Sequence, residues 1–422
     1  MPLAGGAPRE LASDVQEADW MPDGDRLAAI RWSGPITTVE FPLGHIVYSA
    51  KPPAWVSGLR VNGDRIAFLL HESERFDDRG KAVIADVNGK IVTSSREFVS
   101  ANGLAWRGDE LLISASDNLD NAIYSIDGRG HEHAIARAAG QLALQDAAAS
   151  GALLVAKLDG RCGIIVKPAG EANERELSWL DGSWVRDLSA DGSTIFFDEE
   201  GNGGGSTARV FLRRVDGSPA VDLGAGHADA LSPDGKWALT RQRFTHPPRL
   251  VLIPTGAGQA RVLRTGNVEP LDGATWLPGG QRILFQGVER GHKRRTWLLD
   301  VASGAMRAVT PEGVAGLVTD GTSVIARRAF YPLDGSAPHP VPFLHPGDFP
   351  IRFDGRTIDV LGDSVERIDL ATGARTIAFT PGAAKPRETV YTAPPIVSAD
   401  GRTYAYTYFS ITSNLYMLEG AR

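Results

Sequence analysis

Only one cysteine, Cys162, occurs in the 422 residues, so no disulfide can form within the chain and no cysteine-rich metal site can be built. Positive charge is not in excess: Lys and Arg number 44 against 51 Asp and Glu, a formal net charge of -7, and no nucleic acid partner is expected. No apolar run approaches the roughly 18 residues needed to span a bilayer as a helix. The opening MPLAGGAPRELASD has neither the basic stretch nor the apolar core of a signal peptide. Motifs of catalysis are equally scarce. H-E-x-x-H, a G-x-S-x-G elbow, S-x-x-K and a phosphate loop ending in Gly-Lys-Ser/Thr are all missing.

What the chain has instead is glycine and proline, 48 and 26 residues, in a pattern that repeats. The clearest copy runs over 231–267, with LSPDGKWALT, RLVLIP and QARVLRTGN in succession. Pro233 presets one backbone angle, Asp234 can bond back to the chain and Gly235 can take positive φ. Three short β-prone stretches follow. Equivalent glycines stand at 24, 63, 108, 151, 192, 235, 280, 321, 355 and 401, spaced by 39, 45, 43, 41, 43, 45, 41, 34 and 46 residues. A period of about 42 carrying three or four strands is that of propeller blades.

The sequence therefore predicts an all-β chain forming one large β-propeller of about ten blades, with two smaller propellers as the alternative. The blades are expected near 15–55, 56–97, 98–140, 141–181, 182–226, 227–268, 269–314, 315–347, 348–390 and 391–422. The last lacks a strand and residues 3–12 form a surplus one, so the N-terminal strand is expected to complete the last blade and close the ring. Trp20, Trp106, Trp276 and Phe353 precede equivalent turns and are expected to pack between blades. Cys162, in CGIIVK, is expected to be buried and inert.

LSPDGKWALT at 231–240, PRLVLIPTGAG at 248–258, WLPGGQRILFQG at 276–287, YPLDGSAPHPVPFLHPGD at 331–348 and the terminal YAYTYFSITSNLYMLEGAR resemble the WD40-like, TolB-like propeller repeats found C-terminal to the kinase domain and membrane helix of bacterial serine/threonine protein kinases. The kinase motifs themselves, the glycine loop, the Lys-Glu pair, HRD and DFG, are missing from this chain. The resemblance thus implies a sensor or scaffold propeller without kinase activity, in an extracytoplasmic setting, although no signal peptide or membrane anchor is present.

Function must come from what does not repeat, the loops at the channel mouth. Ligand-binding candidates there are His71, Glu72, Asp77 and Arg79 in an acidic loop, Trp184, Arg186, Arg243 and His246, and His292 in the basic stretch GVERGHKRR. The leading reading is a monomeric, non-catalytic binding propeller that presents these loops to a protein, peptide or small ligand. The alternative is a propeller-fold hydrolase or lyase, with His227, Asp229, Asp198 and Glu199 as its acid-base residues. No cofactor is expected, though a divalent cation held by converging carboxylates and histidines is possible. For the basic stretch, a protein or anionic partner would be lost on neutralising Arg290, His292, Lys293 and Arg295 together, with strong salt sensitivity.

Overall fold

The ten repeat glycines all adopt positive φ, from 58° at Gly108 to 92° at Gly321, a region where a Cβ would be strained. Around Gly235 the turn closes on itself. Asp234 accepts from the Ser232 hydroxyl and the Lys236 N–H, and Ser232 Oγ accepts from the Trp237 N–H. Ser398 and Asp400 build the same turn around Gly401. Each turn joins the first strand of a sheet to its second.

The computed structural model describes residues 10–420 apart from 35, 73–77, 118–119, 139, 201–207, 243–244 and 246, and only the backbone of 120 and 138. Within them the chain forms eight successive four-stranded antiparallel sheets, spanning 15–50, 55–94, 100–138, 183–225, 227–262, 268–308, 318–340 and 349–379. This repetition is a propeller-like, all-β architecture. Second strands are buried on both faces, as in Ile66–Leu70, Leu111–Ala115 and Ile195–Phe197, which explains their unbroken apolar runs. Phe68, Phe196, Phe197 and Phe285 are among the largest fully buried side chains, each contributing about 1.5–3 kcal/mol. Outer strands are short, such as Arg261–Val262 and His339–Pro340, which limits the open edge each sheet presents.

Side chains from one sheet satisfy the first strand of the next. Asp19 accepts from the Val61 N–H, Ser114 from Leu144, Asp187 from Leu231 and Thr407 from Val185, at 2.7–3.0 Å. Several first strands also carry a bulge, with Gln145, Arg186, Asp229 and Ile351 the unpaired residues. A bulge re-aims a side chain and sharpens twist.

The described chain falls into two compact units, 1–159 with 412–422, and 160–411. In the first lie the 15–50, 55–94 and 100–138 sheets, followed by Gln141–Ala147 paired with the first half of Leu153–Lys167. The second holds the other five sheets and a composite one. In that sheet the second half of Leu153–Lys167, with Arg175–Glu176 on its far side, lies beside residues 404–411 of Tyr404–Leu418, which carry Thr389–Thr392 and Ile396–Val397 on their other edge. Strands from the two ends of the unit thus share one sheet. Glu174 fastens it, accepting from the Tyr404 and Tyr406 hydroxyls and from the Gly382 and Ala384 N–H groups at 2.9–3.1 Å.

CGIIVK, which carries Cys162, is the second half of one long strand, Leu153–Lys167. Thr389–Thr392 and Ile396–Val397 pair with residues 404–410 of Tyr404–Leu418, Glu10–Ala12 form no strand, and residues 3–9, on which the expected closing strand falls, lie outside the described residues. Trp20 is 54% exposed, whereas Trp276 and Phe353 are buried and Trp106 packs on a buried cluster.

Candidate functional site

Counting six residues either side of a turn glycine locates an ion pair in two neighbouring sheets. Around Gly192 these positions are Arg186 and Asp198; around Gly235 they are Asp229 and Arg241. The pairs carry opposite sense. Arg186 Nε and Nη2 reach the two Asp198 oxygens at 2.8 and 3.2 Å, and Arg241 Nε reaches both Asp229 oxygens at 3.0 and 2.9 Å. Both first-strand members sit at bulges. Arg241 also donates through Nη1 to the Leu271 carbonyl of the next sheet.

His227 begins the first strand of the 227–262 sheet and points its Nδ1 at the Gly192-side pair, 2.9 Å from Glu200 Oε1 and 3.4 Å from Asp198 Oδ2. Arg186 Nη2 lies 3.2 Å from the same Glu200 oxygen. One donor atom each from Asp198, Glu200 and His227 falls within 4.8 Å of the others. Asp198 is fully buried and His227 nearly so, while the side chains of Arg186 and Glu200 are each 33% exposed. The cluster is therefore closed on one side and open to solvent on the other. The Arg186 guanidinium also lies over the Trp184 ring at 5.2 Å.

Burial would raise the Asp198 carboxyl, but the Arg186 charge and the bonds from His227 and Arg186 hold it below its ordinary range. Burial would strip the His227 proton, yet the bonds to Asp198 and Glu200 win and raise its pKa. Asp229 is pushed up to about 6 by burial, against the pull of Arg241. The site thus favours the protonated form of the His227 imidazole beside its carboxylates.

Glu199, expected as an acid-base residue, points the other way. Its carboxylate accepts from the Ser183 hydroxyl and from the Leu180 and Gly182 N–H groups and is fully buried. It pins the 180–183 loop. Glu200, on the same strand face as Asp198, takes its place in the cluster. Successive strand residues face opposite ways, and that alternation was the available signal.

The remaining candidates are dispersed. His71 is buried, stacked on Trp55 at 3.9 Å, with its ring nitrogens on Ser57 Oγ and the Arg79 carbonyl. Glu72 pairs with Lys81, and Arg79 with Glu97. Asp77, Arg243 and His246 lie outside the described residues. His292 is exposed and bonded to Glu312 at 2.7 Å. Cys162 is buried, its thiol pushed up to about 12 by burial.

No family model matches the chain, and none of the curated proteins compared with it is a match. Among solved structures it is similar to one assigned to TolB of Agrobacterium tumefaciens (18% identity, 59% of this chain and 98% of that one, TM-score 0.43). It is also similar to TolB of Acinetobacter baumannii (14%, 90% and 78%, 0.29) and to oligogalacturonate lyase of Vibrio parahaemolyticus (10%, 60% and 98%, 0.40). At these scores the propeller-like assignment rests on the sheet topology above. Nothing in these neighbours corresponds to a kinase-associated sensor. No helix of the described residues is long and apolar enough to cross a membrane.

Proposed function

We propose that residues 160–411 form a closed six-sheet propeller with a hydrolase or lyase centre built from Asp198, Glu200, His227 and Arg186. The observation that carries this reading is the convergence of two carboxylates and an imidazole within 4.8 Å at a half-open position. Structural ion pairs need no third group of this kind, and the equivalent Asp229–Arg241 pair has a side-chain exposure of only 2–9%.

The same donors suit a divalent cation. A tetrahedral ion with bonds of about 2.1 Å sets its ligand atoms roughly 3.4 Å apart, and His227 Nδ1 lies 3.4 and 2.9 Å from its two carboxylate neighbours. The Arg186 guanidinium, joined by His227 when its ring is protonated, supplies the positive charge. Ion uptake requires His227 to release that proton and Arg186 to turn toward solvent, so affinity rises with pH. Removing Arg186 tightens binding. A water on such an ion becomes a nucleophile or base near neutral pH; without the ion, His227 and Glu200 form a proton-transfer pair.

The test combines calorimetric titration of Mn²⁺ and Zn²⁺ with assays of chromogenic ester, phosphate and glycoside hydrolysis and of uronate elimination. Activity that falls at least about a hundredfold in His227→Gln supports the reading. A wild-type chain that neither takes up an ion nor turns over any of these substrates contradicts it.

A further inference from the structure

A second surface of the 160–411 unit carries an unusual turn. Ala326 pairs with Ala329, leaving a two-residue hairpin at Arg327 and Arg328 with φ of 44° and 65°. Positive φ at both positions is the geometry that Asn-Gly serves without strain. Two consecutive arginines there are held against their backbone preference. Both are exposed.

The turn sits against the basic stretch of the neighbouring sheet. Arg327 Nη2 donates to the Gly313 carbonyl at 2.7 Å, and the Gly313 N–H donates to the Arg294 carbonyl at 2.9 Å. Arg328 Nη2 reaches the Leu344 carbonyl. The expectation from sequence named Arg290, His292, Lys293 and Arg295, but two of these are already neutralised. His292 is bonded to Glu312, and Arg295 pairs with Glu289 at 2.6 Å while covering Trp297. Among the described residues no carboxylate pairs with Arg290, Lys293, Arg327 or Arg328, all exposed. Four cations without a carboxylate partner thus stand on two loops that meet at Gly313, in a chain whose net charge is -7.

We propose that this corner docks an acidic polypeptide segment, its carboxylates received by the guanidinium groups of Arg327, Arg328 and Arg290 and by the Lys293 ammonium. Glu289, Glu312 and Asp272 are interspersed among these cations, which breaks the field into separate points. Such points suit individually spaced carboxylates, bound by guanidinium forks. A continuous phosphodiester backbone, with its closely and evenly spaced charges, would bring phosphates against those acids.

The test uses the full chain, a fluorescein-labelled oligoglutamate peptide, an oligothymidylate of equal charge and inorganic phosphate, all at low salt. The decisive variant is Arg327→Asn with Arg328→Gly, which installs the residues the turn prefers and so keeps the protein folded. Peptide binding is expected to weaken at least about tenfold, equal to 1.4 kcal/mol, while thermal stability rises. His227→Gln leaves it unchanged, which separates this surface from the centre proposed above. Absence of peptide binding by the wild type, unchanged affinity in the double variant, or tighter binding of oligothymidylate or phosphate would each overturn the proposal.

Discussion

Removing Arg186 and removing Asp198 are predicted to have unequal costs, although each breaks the same ion pair. Asp198 is fully buried, with Arg186 and His227 as side-chain partners. In Arg186→Gln the carboxylate stays buried with His227 as its remaining side-chain partner. Breaking a buried pair in this way costs about 3–5 kcal/mol. The Gln amide can still donate one bond, and the lost guanidinium was one-third exposed, so screening brings the figure to about 2–3 kcal/mol. In Asp198→Asn the orphaned guanidinium keeps Glu200 at 3.2 Å and has solvent within reach, so the cost is about 1–2 kcal/mol. The double variant leaves two neutral amides able to bond each other, and the coupling energy should be about 1–2 kcal/mol. Urea unfolding of the four proteins at neutral pH measures all of this, with each transition fitted separately because the chain has two units. The reasoning is refuted if Asp198→Asn is the costlier single change, or if both lie below about 0.5 kcal/mol.

Asp187, pushed up to about 7 by burial against its bonds from Leu231 and Leu188, makes stability fall as pH rises from its unfolded value near 3.8 through 7. Asp187→Asn should flatten that slope in pH-dependent thermal melts, and an unchanged slope would remove Asp187 as its source. His227, also raised, adds stability below about pH 6.5 that is lost as pH climbs through its folded pKa; NMR titration of its ring should find it protonated above that value. Installing Asn-Gly at 327–328 should stabilise the chain by about 1–2 kcal/mol, read by denaturant midpoint. Glu174→Gln weakens four bonds that fasten the composite sheet and should cost about 2–4 kcal/mol, with exchange of the Gly382 and Ala384 amides accelerated; normal protection at those amides would argue against the fastening role.

The repeat was legible because its turn is local. A Ser-x-Asp-Gly turn needs only neighbouring residues, and all ten glycines chosen by spacing have the φ that their position requires. Pairing between 153–167 and 404–418 was not legible, because two strands some 240 residues apart carry no shared signal beyond apolarity. Gly160 lies inside the first of these strands, where a glycine would more often mark a turn. At the site, Asp198, Arg186 and His227 were within reach of sequence reasoning, and the register of six residues about the turn glycine would have paired Arg186 with Asp198. Glu199 and Glu200 are neighbours in sequence, and only the alternation of side chains separates the buried loop anchor from the member of the cluster. The Arg327–Arg328 turn lies in the shortest repeat, where no glycine or asparagine announces it.

Calorimetric titration of Mn²⁺ and Zn²⁺ into the wild type, Arg186→Gln and His227→Gln, at pH values below and above the His227 transition, bears most directly on the Asp198–Glu200–His227 centre. One ion should bind per chain, more tightly at the higher pH with release of a proton, more tightly still in Arg186→Gln, and at least about a hundredfold more weakly in His227→Gln. Binding that ignores pH and both substitutions, or no binding under any of these conditions, would contradict a cation at this centre.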